Sequence, residues 1–223
     1  GDGPGQLVPG INGETSRLGA RNADHNLKLL LEWLESDPAV AADTNIIVTS
    51  DHGFATVSRQ AIDPALTPST SPSARITYPD VRAGELPPGF LSLDLARDLQ
   101  LPLFDPDRVV TDATGRSTHA PVDVASQHPA GGAALLGGTG RMDGAGDARI
   151  LVSAANGSDV LYVPGGDEAL VRRIVASLAR RDYVDALFVD DRYGALPGTL
   201  PLSAIQLRGS GRLPAPTIVA AFR

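Results

Sequence analysis

Cysteine is absent from the 223-residue chain. That removes thiol catalysis, iron–sulfur clusters and cysteine-ligated zinc. Aromatic residues make up only 4% of the sequence, and lysine occurs once, at Lys28, so the basic charge is almost entirely arginine. No arginine cluster has recognition spacing. The 19 basic against 26 acidic side chains leave a formal charge of −7, the wrong sign for a phosphate-backbone binder. No apolar run approaches the ~20 residues of a membrane span. Neither binding to a nucleic-acid polymer nor a membrane span is therefore expected. An initiator methionine is also missing: the chain opens on Gly1-Asp2-Gly3-Pro4 and its one methionine is Met142. The expectation is a start that has been cut or processed, and no signal peptide is visible.

What is present suffices for a core. With 42% hydrophobic residues, a chain of this length should bury roughly 70–75% of its unfolded surface without disulfides or a structural metal. Residues 1–21 are rich in Gly, Pro and Asn and read as loop. From Asn22, a candidate cap, Leu27, Leu30, Leu31 and Leu34 follow the spacing of one buried helix face, and Asp37-Pro38 stops the helix. Asn45-Ile46-Ile47-Val48-Thr49 is then a short apolar run without alternation, which predicts a central parallel strand covered on both faces. Residues 59–89 read as a surface excursion, and 90–99 as a short helix with Leu91, Leu95 and Leu99 inward and Asp94 and Asp98 on the other side. Residues 105–148 show no sustained period and read as an irregular insertion. Ile150-Leu151-Val152 and Val160-Leu161-Tyr162-Val163 flank Asn156-Gly157, the signature of a hairpin. Asp167 caps a helix that buries Leu170, Val171, Ile174, Val175 and Leu178, and strands are expected at 184–189 and 217–222, with mostly loop between. This order indicates an α/β domain with a mixed sheet.

Chemistry is expected where the first strand ends, at Ser50-Asp51-His52-Gly53-Phe54. In open α/β sheets ligands bind at the carboxyl ends of strands. Just past a strand end the chain turns, so Asp51 and His52 can converge, and Gly53 lets the backbone leave at an angle that a side chain would forbid. A carboxylate oxygen and a neutral imidazole nitrogen are both ligands for zinc or a similar divalent ion. The same three residues also suit a plain polar turn, with Asp51 capping and His52 exposed.

The run Thr44-Asn45-Ile46-Ile47-Val48-Thr49-Ser50-Asp51-His52-Gly53-Phe54 resembles the metal-binding strand and Asp-His-Gly motif of the alkaline phosphatase superfamily, in its type I phosphodiesterase/nucleotide pyrophosphatase branch. Pro9-Gly10-Ile11-Asn12-Gly13, Arg21-Asn22-Ala23-Asp24 and the leucine-rich helix are similar to the segment before that motif. Weaker similarity runs through Leu86-Pro87-Pro88-Gly89-Phe90 and from Leu196 to Ile205. The resemblance implies an alkaline-phosphatase-like mixed sheet flanked by helices and incomplete in this chain. It makes 1–223 one partial domain, with the irregular insertion at about 59–148. It further implies a metal-dependent hydrolase of phosphate mono- or diesters using two divalent ions, zinc first among them. Asp51 and His52 are then ligands of the ion on the nucleophile side, the substrate is a small phosphate or sulfate ester, and export to the periplasm or the outside follows from bacterial relatives. A sulfatase or mutase of the same superfamily is an alternative.

The sequence departs from the family pattern in three places. The nucleophile Thr or Ser is expected upstream of residue 1, which leaves no catalytic residue to assign here. Asp2-Gly3-Pro4-Gly5-Gln6 has the outline of the second metal's Asp-x-x-Gly-His motif, with Gln6 where the histidine belongs. No histidine follows His128, so the family's late ligand is missing as well. These departures predict either a fragment holding an incomplete half-site, inactive in isolation, or a non-catalytic binding or scaffold domain.

The remaining polar residues have simpler readings. His25 is a surface histidine on the first helix, and His119 and His128 are expected to be solvated in the irregular insertion. Gly137-Gly138-Thr139-Gly140 lacks the Lys-Ser/Thr of a phosphate loop, and Asn156-Gly157-Ser158, though a glycosylation acceptor pattern, is explained by the hairpin. Thr199 and Ser203 lie in no nucleophile pattern.

Overall fold

In the computed structural model, which describes residues 14–49, 68–142, 146–155, 157–207, 209 and 214–223, the chain divides into two units, Gly1–Val57 and Ser58–Arg223. The first unit holds α1 (Glu14–Glu35) and α2 (Pro38–Ala42). α1 begins upstream of the expected cap at Asn22, because Arg17, Leu18 and Ala20 are strong helix formers and Glu14 suits the positive end of the dipole. The Asp37-Pro38 stop holds: the Asp37 carboxylate accepts from the N–H groups of Ala39 (3.0 Å) and Val40 (3.3 Å) and so caps α2, with Pro38 in its first turn.

The leucine face of α1 has the expected period without the expected cover. Leu27 and Leu34 are half-buried, but Leu30 is 59% and Leu31 40% exposed. Residues 44–49, expected to be a doubly covered strand, form no strand among the described residues, and Ile46, Ile47 and Val48 are exposed. A β-branched run has the propensity for a strand, but the strand forms only where neighbours take up its N–H and C=O groups.

The second unit is built on an eight-stranded sheet. Its strands are β1 (Leu103–Thr111), β2 (Ser117–Val122), β3 (Ala134–Leu136), β4 (Ile150–Ala155), β5 (Ser158–Tyr162), β6 (Val184–Val189), β7 (Leu200–Pro201) and β8 (Ile218–Phe222). The spatial order is β2-β1-β3-β4-β5-β8-β6-β7. All pairs are antiparallel except β6–β7, which makes the sheet mixed and the fold α/β, consistent with the alkaline-phosphatase-like class. The last strand, β8, enters between β5 and β6 rather than at an edge. Helices α3 (Phe90–Leu99) and α4 (Glu168–Leu178) lie against each other and share one apolar core with the inward residues of the strands.

Several expectations hold in detail. The β4–β5 hairpin pairs Leu151 with Tyr162 and Ala155 with Ser158. Asp167 caps α4 by accepting from the Leu170 N–H at 3.0 Å, and Leu170, Val171, Ile174, Val175 and Leu178 are all buried. Other expectations need correction. Residues 105–148 are not an irregular insertion: they supply most of β1 and all of β2 and β3. The Asp, Pro and Gly residues that hide this pattern are local devices. The buried Asp105 carboxylate accepts the N–H groups of Asp107 (2.9 Å) and Ala130 (2.8 Å), organising the bulge that interrupts β1 between Asp105 and Val109. The described part of the expected surface excursion, 68–89, buries Ser71, Ser73, Tyr78 and Leu86.

Asp94 is the largest correction. It is not on a solvent side of α3 but fully buried, because every residue from Phe90 to Ala96 is enclosed. A buried carboxylate needs partners. It accepts from the Ser73 N–H (3.1 Å) and the Tyr183 hydroxyl (3.1 Å), and the Arg181 Nε lies 3.8 Å away. Asp98, one turn on, receives Arg181 Nη2 at 2.5 Å and the Ser177 hydroxyl. Burial pushes the Asp94 carboxyl up, against the pull of its hydrogen bonds and of Arg181, and burial together with the Asp94 charge pushes Tyr183 well above 10.

Two outcomes are expected. Asp94→Ala strands the Tyr183 hydroxyl, the Ser73 N–H and one side of Arg181, and should cost about 3–5 kcal/mol in urea unfolding. Because the folded state raises the Asp94 pKa, its stabilising contribution is complete below the ordinary carboxylate value and is lost as pH rises through the raised value. The stability advantage of the native chain over Asp94→Asn should therefore shrink with rising pH in parallel denaturation series.

Candidate functional site

The metal ligands expected from the sequence, Asp51 and His52, lie outside the described residues, as do Asp2 and Gln6. His25 is exposed on α1, as expected. Among the described residues no three His, Asp or Glu side chains converge in a way that could hold a metal ion.

His119 and His128 are not solvated loop residues. His119 sits in β2, where its N–H donates to Gly140 O at 2.8 Å and its Nδ1 is enclosed without a hydrogen-bond partner. His128 is 8% exposed, edge-on to the Tyr78 ring at 5.3 Å. Its Nδ1 is 2.9 Å from Pro129 O and its Nε2 3.1 Å from Asp80 Oδ1. The hydrogen bond from His128, with help from the Asp80 N–H, holds the Asp80 carboxyl below its usual range. Both ring nitrogens are thus committed within the protein, and the pair joins the turn at 126–132 to the segment at 78–80 as a structural latch. Nothing local in the sequence announces it, since the partners are 48 positions apart.

Two solvent-facing cavities are lined by described residues. One, of about 440 Å³, is formed by a single loop through Pro79, Asp80, Val81, Arg82, Leu86 and Pro88. The other, of about 420 Å³, lies at the carboxyl ends of the parallel pair β6–β7, where Asp190 and Asp191 follow β6 and Ser203 follows β7. That edge is where an α/β sheet offers a ligand site. Its carboxylates already organise the loops, however. Asp191 accepts from the Ser203 N–H (3.1 Å) and hydroxyl (2.5 Å), and Asp190 from the Arg192 N–H (3.1 Å) and Nε (3.0 Å). Neither cavity brings an imidazole beside a free carboxylate.

The expected site at Asp51-His52-Gly53 has no competitor among the described residues, and His128 is a counter-example against which it can be tested. His128→Ala removes a buried ring and two polar contacts and should lower stability by about 1–3 kcal/mol in thermal or urea unfolding, while divalent-ion binding measured by calorimetry stays unchanged.

In comparison with known proteins, the model of the type I phosphodiesterase / nucleotide pyrophosphatase family matches residues 2–74, about a third of the chain, a stretch that contains α1 and the Asp51-His52-Gly53 run. No curated protein and no solved structure matches the chain. The family match bears out the resemblance read from the helix and the motif, and it supports, at the level of the family, a phosphoester hydrolase of the alkaline phosphatase superfamily.

Proposed function

We propose that the chain contributes Asp51 and His52 to the divalent-metal centre of a hydrolase acting on small phosphate mono- or diesters, with two ions, zinc first among them, at the complete centre. The observation that carries this reading is the Asp-His-Gly run, set within the stretch that matches the family. The donor chemistry fits: an anionic oxygen and an aromatic nitrogen satisfy a borderline-soft divalent ion. When bound, such an ion supplies charge stabilisation for a phosphoryl oxygen and activation of a nucleophilic hydroxyl.

Asp51 contributes a full negative charge and His52 a neutral nitrogen. An imidazole must be unprotonated to bind, so affinity falls as pH drops below about 6.5. Gly53 frees the backbone to turn directly after the pair. Two residues do not complete a four-coordinate site, so further ligands and the nucleophile have to join them. A non-catalytic scaffold is favoured by one specific observation, Gln6 at the position of the expected second-site histidine, because an amide is a poor zinc ligand beside an imidazole.

In the protein, Asp51→Asn should reduce hydrolysis of an aryl phosphodiester by at least about 10²-fold, the scale on which even the outer partners of metal ligands matter. It should also weaken zinc or manganese binding measured by calorimetry. Unchanged turnover removes Asp51 from the site. Turnover of an aryl sulfate in preference to the phosphodiester moves the assignment to a sulfatase.

A further inference from the structure

β1 leaves one of its edges open. β3 pairs only with Leu103 and Phe104, so from Val109 to Thr111 the strand has β2 on one side and, among the described residues, no strand on the other, with Arg108 next to it at the end of the bulge. Every residue from Arg108 to Asp112 is exposed, Val109 at 53% and Val110 at 45%. The register with β2 shows which backbone groups face the open side. Val109 lies opposite His119, and Thr111 opposite Ser117. The His119 N–H donates to Gly140 O, away from β1, so Val109 and His119 form a pair that exchanges no hydrogen bonds. At the hairpin end the Asp112 N–H donates to Arg116 O at 3.0 Å, toward β2. Alternation along the strand then turns the N–H and C=O groups of Val109 and Thr111 outward.

An open edge of β-branched residues is a template for another strand, and a lone charge on it would deter pairing. Here two opposite charges, Arg108 and Asp112, stand symmetrically about Val110. We infer that this edge pairs, antiparallel and two-fold symmetric about Val110, with the same edge of a second copy of the chain. In that register Val109 faces the second copy's Thr111, and Thr111 its Val109, so the outward backbone groups of both strands exchange hydrogen bonds. Arg108 faces the second copy's Asp112 in a position without backbone bonds, where side chains come closest.

Both charges are available for this. The Thr114 N–H, the Thr114 hydroxyl and the Arg116 N–H all bond to Asp112 Oδ1, at 2.9, 2.6 and 3.0 Å, which leaves Oδ2 on offer. Arg108 touches its own chain through Nε, 3.6 Å from Asp105 Oδ2, and its side chain is 60% exposed. Registers centred on Val109 or Thr111 also bring outward groups together. They set Arg108 opposite Val110 or Thr114, however, and only the Val110 register matches both charges.

The test is the oligomeric state of the protein in sedimentation, with five variants. Val110→Cys introduces a thiol on the two-fold axis, where facing Cα atoms about 4.5 Å apart fall within disulfide range. It should oxidise to a covalent dimer at least about tenfold faster than Arg116→Cys at the hairpin tip, because pairing raises its local concentration. Thr111→Pro removes an outward N–H while leaving the β1–β2 backbone bonds in place, at the cost of the exposed Thr111–Ser117 hydroxyl contact, and should give a monomer. Arg108→Glu should weaken association about tenfold or more, and Arg108→Glu combined with Asp112→Lys should recover it. A protein that stays monomeric up to about 1 mM, the weak end of specific affinities, overturns the inference. So does a dimer that survives Thr111→Pro, equal oxidation of the two cysteine variants, or a different protein occupying the edge.

Discussion

A carboxylate taken out of water has to be answered by donors, and Asp94 is answered from three separate parts of the second unit. The Ser73 N–H comes from the 3₁₀ turn Pro72–Arg75, the Tyr183 hydroxyl from just before β6, and Arg181 from just beyond α4. Satisfying one charge therefore fixes α3, α4 and the turn together. The same junction is tightened from its other side. Asp182 accepts the hydroxyls of Ser69 and Thr70 at 2.9 Å, and Arg181 Nη1 donates to Thr70 O at 2.9 Å. Apolar burial supplies the bulk of the driving force for the core, but it is non-directional. The polar junction supplies the direction.

Polar residues play a comparable part across the sheet. Asp105 organises the bulge in β1, Asp112 the tip of the β1–β2 ribbon, Asp167 the start of α4 and Asp191 the turn after β6. The acidity of the chain is in this sense structural: many of its carboxylates accept backbone N–H groups that bends and helix ends leave unpaired. In the cavity beside β6–β7 the same holds: Asp190 and Asp191 accept backbone N–H groups of the loops that form it.

The proposed function rests on residue chemistry and on position in the sequence. The Asp51-His52-Gly53 run is informative because its residue types match what a divalent ion needs and because it falls inside the stretch that matches the type I phosphodiesterase / nucleotide pyrophosphatase family. The second unit contributes no competing constellation among its described residues. His128, which has the same side chain as His52, shows the contrast: its nitrogens face acceptors that belong to the fold, and its ring packs on Tyr78.

Local signals sufficed where the physics is local. The periodic faces of α1 and α4, the Asp167 cap, the hairpin around Gly157 and the apolar β6 and β8 follow from spacing and from residues that satisfy neighbouring backbone groups. The candidate site is read in the same way, from three adjacent residues that lie outside the described ones. Burial of Asp94, the latch between Asp80 and His128, and the strand character of 103–136 depended on partners distant in the chain, which no window of sequence contains. Residues 44–49 show the limit from the opposite direction, since strand propensity there meets no described partner strand. The sequence by itself determined the elements whose hydrogen bonds close within a few residues, and the residue types that can bind a metal. Only the tertiary structure decided which charges are buried and which edges are open, because both are properties of what packs alongside.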